Sequence, residues 1–220
     1  IKAFKPHIDA GEDIIYIGFS SQLSGTYDQS LQVKEELLKK YPERKMELID
    51  SLAASMGQGL LVTYAAKLKK EGKSFTEVCD WVENNKQKIS HVFTVGDLNH
   101  LRRGGRLSYS KAFLGTILRV KPLLHVSSEG KLVQMGMKRG RRSALDAMVD
   151  RVVETIENPE GQLIYISHGD SLEDAEYVKE SIKDKLPVGD IIINYVGPVI
   201  GSHSGIGTIA IFYYGNEREE

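Results

Sequence analysis

Three stretches of this 220-residue chain carry residue types able to do chemistry. The first is GFSSQLSGTY, residues 18–27, in which Ser20, Ser21 and Ser24 precede Gly25 and Thr26. Small hydroxyls at the start of a helix sit beside its free N–H groups and positive dipole end, which suits a carboxylate or a phosphate. The same residues would also serve as an ordinary helix cap, with Gly25 easing the turn. The second stretch is VIGSHSGIG, residues 199–207, where Gly201, Ser202, Ser204, Gly205 and Gly207 frame His203. An imidazole can donate to a carboxylate oxygen and change charge near neutral pH. Flanking glycines permit positive φ and close approach of a ligand. The third is basic: LRRGGRLS (101–108) and KRGRR (138–142). Arg139, Arg141 and Arg142 crowd a helix N-terminus, where each positive charge costs about 0.3–1 kcal/mol. That placement asks for an anion or an acidic partner, the alternative being solvated surface charge.

Other constellations are weaker. The hydrolase elbow Gly-x-Ser-x-Gly is missing, because Gly18-Phe19-Ser20 continues with Ser21-Gln22. No P-loop is present, and Gly205-Ile206-Gly207 is too short for a dinucleotide fingerprint. An esterase or thioesterase using Ser20 or Ser21 with His203 is the alternative enzymatic reading. His168 follows a strand in SHGDS and is a supporting group at most. His7, His91, His100 and His125 have no pairing spacing, so no metal site is expected. Cys79, the single cysteine, falls on an apolar helical face with Phe75, Val78 and Val82, which reads as core packing.

The elements that must position these residues follow from hydrophobic period. Residues 1–10 read as a short amphipathic helix stopped by Gly11, and 14–19 as a strand. Residues 26–40 read as a helix, 46–49 as a strand, 53–70 as a helix, and 74–89 as another opened by a Ser74–Glu77 capping box. A strand at 91–95 precedes a helical turn at 97–103 that Gly104-Gly105 breaks, and 110–118 reads as helix. Strands at 123–127 and 131–137 form a hairpin. Then come helix 141–157, strand 163–167, helix 172–185, strand 190–195, the glycine-rich loop with His203, and strand 208–214. Alternation of this kind predicts two α/β domains, 1–88 and 89–220, with mainly parallel sheets flanked by helices. The chain opens on a helix feeding a strand, so an upstream strand is expected to be missing from the amino-terminal domain.

Composition narrows the classes of function. Lys and Arg number 29 against 30 Asp and Glu, a net charge of -1, so no global field would recruit nucleic acid or an anionic surface. Apolar runs are strand-sized and no stable membrane insertion is expected. With no signal-peptide pattern and one cysteine, the expectation is a cytoplasmic protein.

Together, SSQLSGTY (20–27), LRRGGRLS (101–108), KPLLHVSSEGKL (121–132), the K-x-R-x-R-R-like run at 138–142 and GSHSGIG (201–207) resemble the DegV family in order and spacing across the chain. The resemblance implies a two-domain α/β protein that holds one long-chain fatty acid, such as palmitate or oleate, in a buried tunnel between its domains. It implies a carrier without catalysis or cofactor of its own. The carrier presents the acid to a separate ATP-dependent fatty acid kinase, and the acyl phosphate goes to phospholipid synthesis. Carried over, Ser20, Ser21 and His203 contact the carboxylate and Arg106 lies near it. Ser24, Gly25, Ser202 and Gly205 support them, and Arg139 lies in the kinase-docking patch. The family's amino-terminal Thr-Asp-Ser strand and Thr-Ser-Gln loop are not matched. Its Gly-Pro-Gly reads Gly205-Ile206-Gly207, which keeps an amide N–H that proline lacks. In such a tunnel each buried CH₂ contributes about 0.8 kcal/mol. The carboxylate is tolerated only if hydrogen-bonded.

Overall fold

The computed structural model describes residues 1–107 and 120–219. The helix expected at 110–118 lies outside the described residues.

The chain runs α1 (Lys5–Asp9), β1 (Ile14–Gly18), α2 (Thr26–Lys40), β2 (Met46–Asp50), α3 (Ser55–Lys70), α4 (Phe75–Asn85), a 3₁₀ turn (Lys86–Lys88) and β3 (Ile89–Thr94). It continues with α5 (Leu98–Arg103), β4 (Val120–Val126), β5 (Leu132–Arg139), α6 (Arg141–Thr155) and β6 (Ile164–His168). Last come α7 (Leu172–Lys185), β7 (Ile191–Tyr195), α8 (Pro198–Ser204) and β8 (Ile209–Tyr214). The Ser74–Glu77 capping box forms as read, each partner satisfying the other's backbone N–H. Gly11 takes φ +79, the left-handed conformation that ends α1.

Among the described residues β1 and β2 form a two-stranded parallel sheet within residues 1–88. A six-stranded sheet, in the order β5-β4-β3-β8-β6-β7, lies within residues 89–220. Its strand directions correct the expectation of mainly parallel sheets. Only β6 and β7 run parallel; β5 to β4, β4 to β3, β3 to β8 and β8 to β6 are all antiparallel. The α/β class itself stands, with helices packed on the sheet. Alternating periods reveal element type, whereas direction depends on which end of the sheet each connection delivers the chain to. β4 returns directly into β5 through a tight turn, and α8 is a two-turn link that brings β8 back between β3 and β6.

Packing joins the two sheets. α3 contacts β1 on one side and β3, β6 and β8 on the other. Leu60 and Leu61 of α3 are fully buried and share one core with Ile17, Ile49, Phe93 and Phe212. Helices α6 and α7 seal the opposite face of the large sheet through Leu145, Met148, Val152, Val178 and Ile182. Cys79 is half-buried against the first core, and burial pushes its thiol up to about 11, which keeps it protonated and unreactive.

Candidate functional site

Between α3, α8 and the inner face of the large sheet lies a cavity of about 350 Å³. That is in the range of small-ligand sites. Its walls are mostly apolar, with Phe93, Ala210 and Phe212 on the floor and Val199 and Ile200 of α8 above. The polar residues that reach it are few: Ser24, Thr26, Arg106, His203, Ser204 and Thr208 near the loops, with Ser55, His91 and Ser167 along the sheet side.

The hydroxyl loop is built by committed hydrogen bonds. Ser20 is fully buried, its amide donates to Ala53 O, and its hydroxyl donates to Gly130 O at 2.8 Å. The Ser20 carbonyl then accepts the amides of Leu23 and Ser24, closing a tight turn. Ser21 donates its amide to the Asp50 carboxylate at 3.2 Å, and Leu52 donates to the same group at 3.0 Å. Neither Ser20 nor Ser21 lines the cavity. Ser20 clamps the β4–β5 turn, and a carboxylate already stands beside Ser21. Ser24 does reach the cavity, and its hydroxyl meets Thr26 Oγ1 at 2.9 Å and receives the Thr26 amide. Ser24 thus lines the cavity while its hydroxyl takes the first amide of α2. Gly25, the N-cap of α2, is open to solvent.

The segment read as a loop around His203 is the short helix α8, begun by Pro198 at a position where a missing N–H is harmless. His203 lies half-buried at its end. Its ring packs onto Gly104 so closely that a methyl group built there would enter the imidazole. The exchange is mutual, because Gly205 packs against the His100 ring. Gly205 also takes φ +76 as it leaves α8. These two contacts bring the GGR and GSHSG stretches together. Arg106 then extends past Gly104, donating through Nε to Leu23 O at 3.3 Å and through Nη1 to Gly104 O. Arg106, His203 and Ser24 thus meet at one cavity, whereas Ser202 is exposed and spends its hydroxyl on Val199 O.

Ser204, which in the sequence only frames His203, is 4% exposed, faces the cavity and has no hydrogen-bond partner among the described residues. A buried hydroxyl without a partner costs free energy until a ligand or water supplies one. The GSHSG pattern held the signal, since residues on both sides of a cavity-facing histidine at a helix end can share its surroundings.

His91 forms part of the floor in a neutral state. Its Nδ1–H donates to Ile89 O at 2.9 Å and its Nε2 accepts the Ala54 amide at 3.1 Å. Burial, reinforced by the nearby Arg218 guanidinium, holds its pKa well below the ordinary value. His168 accepts the Ser171 amide through Nδ1 and stacks on Tyr195, outside the cavity lining. No set of three metal-ligating side chains is gathered among the described residues.

No hydrogen bond links His203 to Ser20 or Ser21, so the nucleophile–base contact that the esterase alternative requires is not formed. The basic runs also resolve differently. Arg141 donates to Asp174 at 2.9 Å, and Arg142 stacks on Tyr177 with Asp146 at 3.7 Å. The acidic partners that their placement called for thus come from the chain itself. Arg139, at the end of β5, is exposed.

Known proteins share the sequence pattern and the fold. The profile of the DegV family, described as an uncharacterised protein family, matches residues 1–216. A DegV domain-containing protein of Clostridium perfringens is 48% identical over 219 residues, covering 100% of this chain and 75% of the relative. Among solved structures, a fatty-acid-binding DegV family protein of Streptococcus agalactiae is 28% identical with a TM-score of 0.83, over 98% of this chain and 75% of its own. The Fatty Acid Kinase B3 protein of Streptococcus pneumoniae, loaded with linoleic acid, is 23% identical with a TM-score of 0.85, over 98% and 74%. That last likeness is one of fold. With a family match along nearly its whole length, the chain belongs to the DegV family.

Proposed function

We propose that this protein binds one long-chain fatty acid in the cavity beneath α8 and holds its carboxylate at Arg106 and His203, with Ser24, Thr26 and Ser204 completing the hydrogen bonds. The observation that carries the reading is the mostly apolar cavity bearing a small set of donors that converge from three separate stretches of sequence. An acyl chain of fourteen or more CH₂ groups at about 0.8 kcal/mol each supplies the bulk of the affinity. Desolvating the carboxylate is offset by the Arg106 cation and by hydroxyl and imidazole donors. The solved Streptococcus agalactiae relative, which is described as fatty-acid-binding, supports the ligand class.

In this reading the protein is a carrier that performs no chemistry itself. It presents the carboxylate to a separate ATP-dependent fatty acid kinase, which forms the acyl phosphate used in phospholipid synthesis. The fold shared with the pneumococcal Fatty Acid Kinase B3 protein supports that partner. The exposed Arg139 lies in the surface that would meet it. Residues 1–88 and 89–220 would act as the two domains that close around the acid, in a cytoplasmic setting. No helix among the described residues is long and apolar enough to cross a membrane.

Native mass spectrometry of freshly purified protein, followed by lipid extraction, tests the ligand. One bound C16–C18 acid per chain is expected, and protein free of acid that also fails to take up palmitate or oleate overturns the reading. Incubation with kinase, ATP and labelled oleate tests the second step, and an Arg139→Glu variant should lower acyl phosphate yield while leaving oleate retention unchanged. Hydrolysis of p-nitrophenyl esters above background would instead revive the esterase.

A further inference from the structure

We propose that Arg218 is a positioning residue for the cavity: from outside the lining, its guanidinium holds residues 52–55 in the left-handed bend that forms one wall. The proposal rests on fatty acid binding in this cavity and adds to it a residue that does not line it.

Residues 51–55 carry the chain from β2 into α3, and Ala54 and Ser55 line the cavity. Leu52 at φ +50 and Ser55 at φ +53 both lie in the left-handed region. Residues other than glycine stay there only where their surroundings enforce it. Here the enforcement is dense. The Asp50 carboxylate accepts the Leu52 amide at 3.0 Å, Ser51 Oγ the Ala53 amide at 3.1 Å, and His91 Nε2 the Ala54 amide at 3.1 Å. The Leu52 carbonyl accepts from Arg218 Nη1 at 2.6 Å. Leu52 is therefore gripped by an ionised group at each end, a carboxylate on its N–H and a guanidinium on its C=O. Such charge-assisted bonds are roughly twice as strong as neutral ones. Gly130 in the β4–β5 turn closes a third side, since a β-carbon there would stand 3.1 Å from Leu52 Cα.

Arg218 is itself fixed by the segment that follows β8. Gly215 donates its amide to Lys88 O, Arg218 donates to Gln87 O, and the Glu219 carbonyl accepts the Ser128 amide. The Arg218 side chain is buried, and among the described residues it bonds only to two backbone carbonyls, Leu52 O and, at 3.2 Å, Lys86 O. Its Nε has no partner. Burial pulls its pKa down to about 10, against the opposing pull of Asp50, so the group stays charged at neutral pH. A buried cation bonded to no carboxylate is a poor source of stability. What the planar fork supplies is direction: it spans two carbonyls from separate elements and sets where Leu52 stands.

Delipidated wild-type and Arg218→Met proteins would be compared by amide hydrogen exchange and by oleate titration. The Leu52 and Ala54 amides should exchange at least about tenfold faster in the variant, while amides of α6 and α7 keep their rates. Oleate Kd, measured where urea titration shows the protein folded, should rise roughly tenfold, the effect of one bond from a charged donor. Arg218→Lys keeps a charged donor for one carbonyl and should recover part of both losses. Arg151→Met, which cuts the Arg151–Glu219 bond of the same segment, should leave Kd unchanged. In Arg218→Met, unchanged exchange at Leu52 and Ala54, uniform acceleration of all amides, or a wild-type Kd overturns the positioning role. Should that variant not fold, the wild-type protein decides: bound oleate must by linkage slow the same two amides, and no slowing overturns the proposal. If the wild-type protein binds no oleate, the carrier function falls, and the exchange comparison still tests the hold of Arg218 on the wall.

Discussion

His203 can stand at the cavity because residue 104 has no side chain. A Gly104→Ala substitution drives a methyl group into the imidazole and should displace it. Removing a hydrogen bond to a charged group typically costs about 1.5–3 kcal/mol. His203→Ala should therefore weaken oleate retention roughly ten- to a hundredfold. Gly104→Ala should approach the same loss without removing any polar atom, as read by competition binding. Ser20 predicts the opposite pattern. Ser20→Ala leaves the buried Gly130 carbonyl without its 2.8 Å donor and should lower unfolding free energy by about 1–3 kcal/mol in urea titrations. If oleate retention falls instead while stability holds, the hydroxyl serves the ligand after all. Residue type alone flagged both serines and the histidine as candidates. What it could not show is that a hydroxyl donates only one hydrogen bond at a time, and that the acceptor Ser20 donates to lies 110 residues away. Ser55 and Ser167 gave no signal, because single serines in a helix start and a strand look like any other serine.

At the scale of elements, α3 is the piece on which both sheets rely, and its first turn is fitted to a particular neighbour. Gly57 faces the His91 ring so tightly that any β-carbon would overlap it. Gly57→Ala should cost about 1–3 kcal/mol of stability, the usual penalty of overpacking, despite the better helix propensity of alanine. Thermal unfolding of the variant checks this, and an unchanged or raised midpoint would contradict the packing. In contrast α4 is held by a local device. Ser74→Ala should cost about 1 kcal/mol through loss of the capping box, a change confined to that helix end and measurable by urea. The box was legible because its partners are three residues apart. Helix α8 was not: Pro198, Gly201 and Gly205 look like breakers, yet Pro at a first helical turn and Gly at a helix exit are compatible with helix. Their meaning depends on position within an element, which hydrophobic period cannot supply for seven residues.

For the whole molecule, His91 couples stability to pH. It is neutral in the fold, with both ring nitrogens engaged, and burial first and Arg218 second depress its pKa. Below the ordinary histidine value the unfolded chain takes up a proton that the folded chain refuses. The stabilisation is complete above that value and is lost as pH falls through and beneath it. Urea midpoints should therefore drop between about pH 6.5 and 5. A His91→Gln variant, if folded, should lose part of that slope, and an identical slope would show that other groups control it. Bound fatty acid should raise the melting temperature, since a ligand at a hundredfold its Kd adds about 2.7 kcal/mol. The sequence by itself determined most element types, the α/β class and the stretches rich in hydroxyl, imidazole and guanidinium groups, because those follow from local period and residue chemistry. Only tertiary structure decided strand direction, which serines line the cavity, that Arg141 and Arg142 meet carboxylates of the chain itself, and that GGR meets GSHSG. Each of these depends on pairing between residues far apart in sequence, and a hydrogen bond, an ion pair or a close glycine contact exists only where the fold brings both partners within a few ångströms.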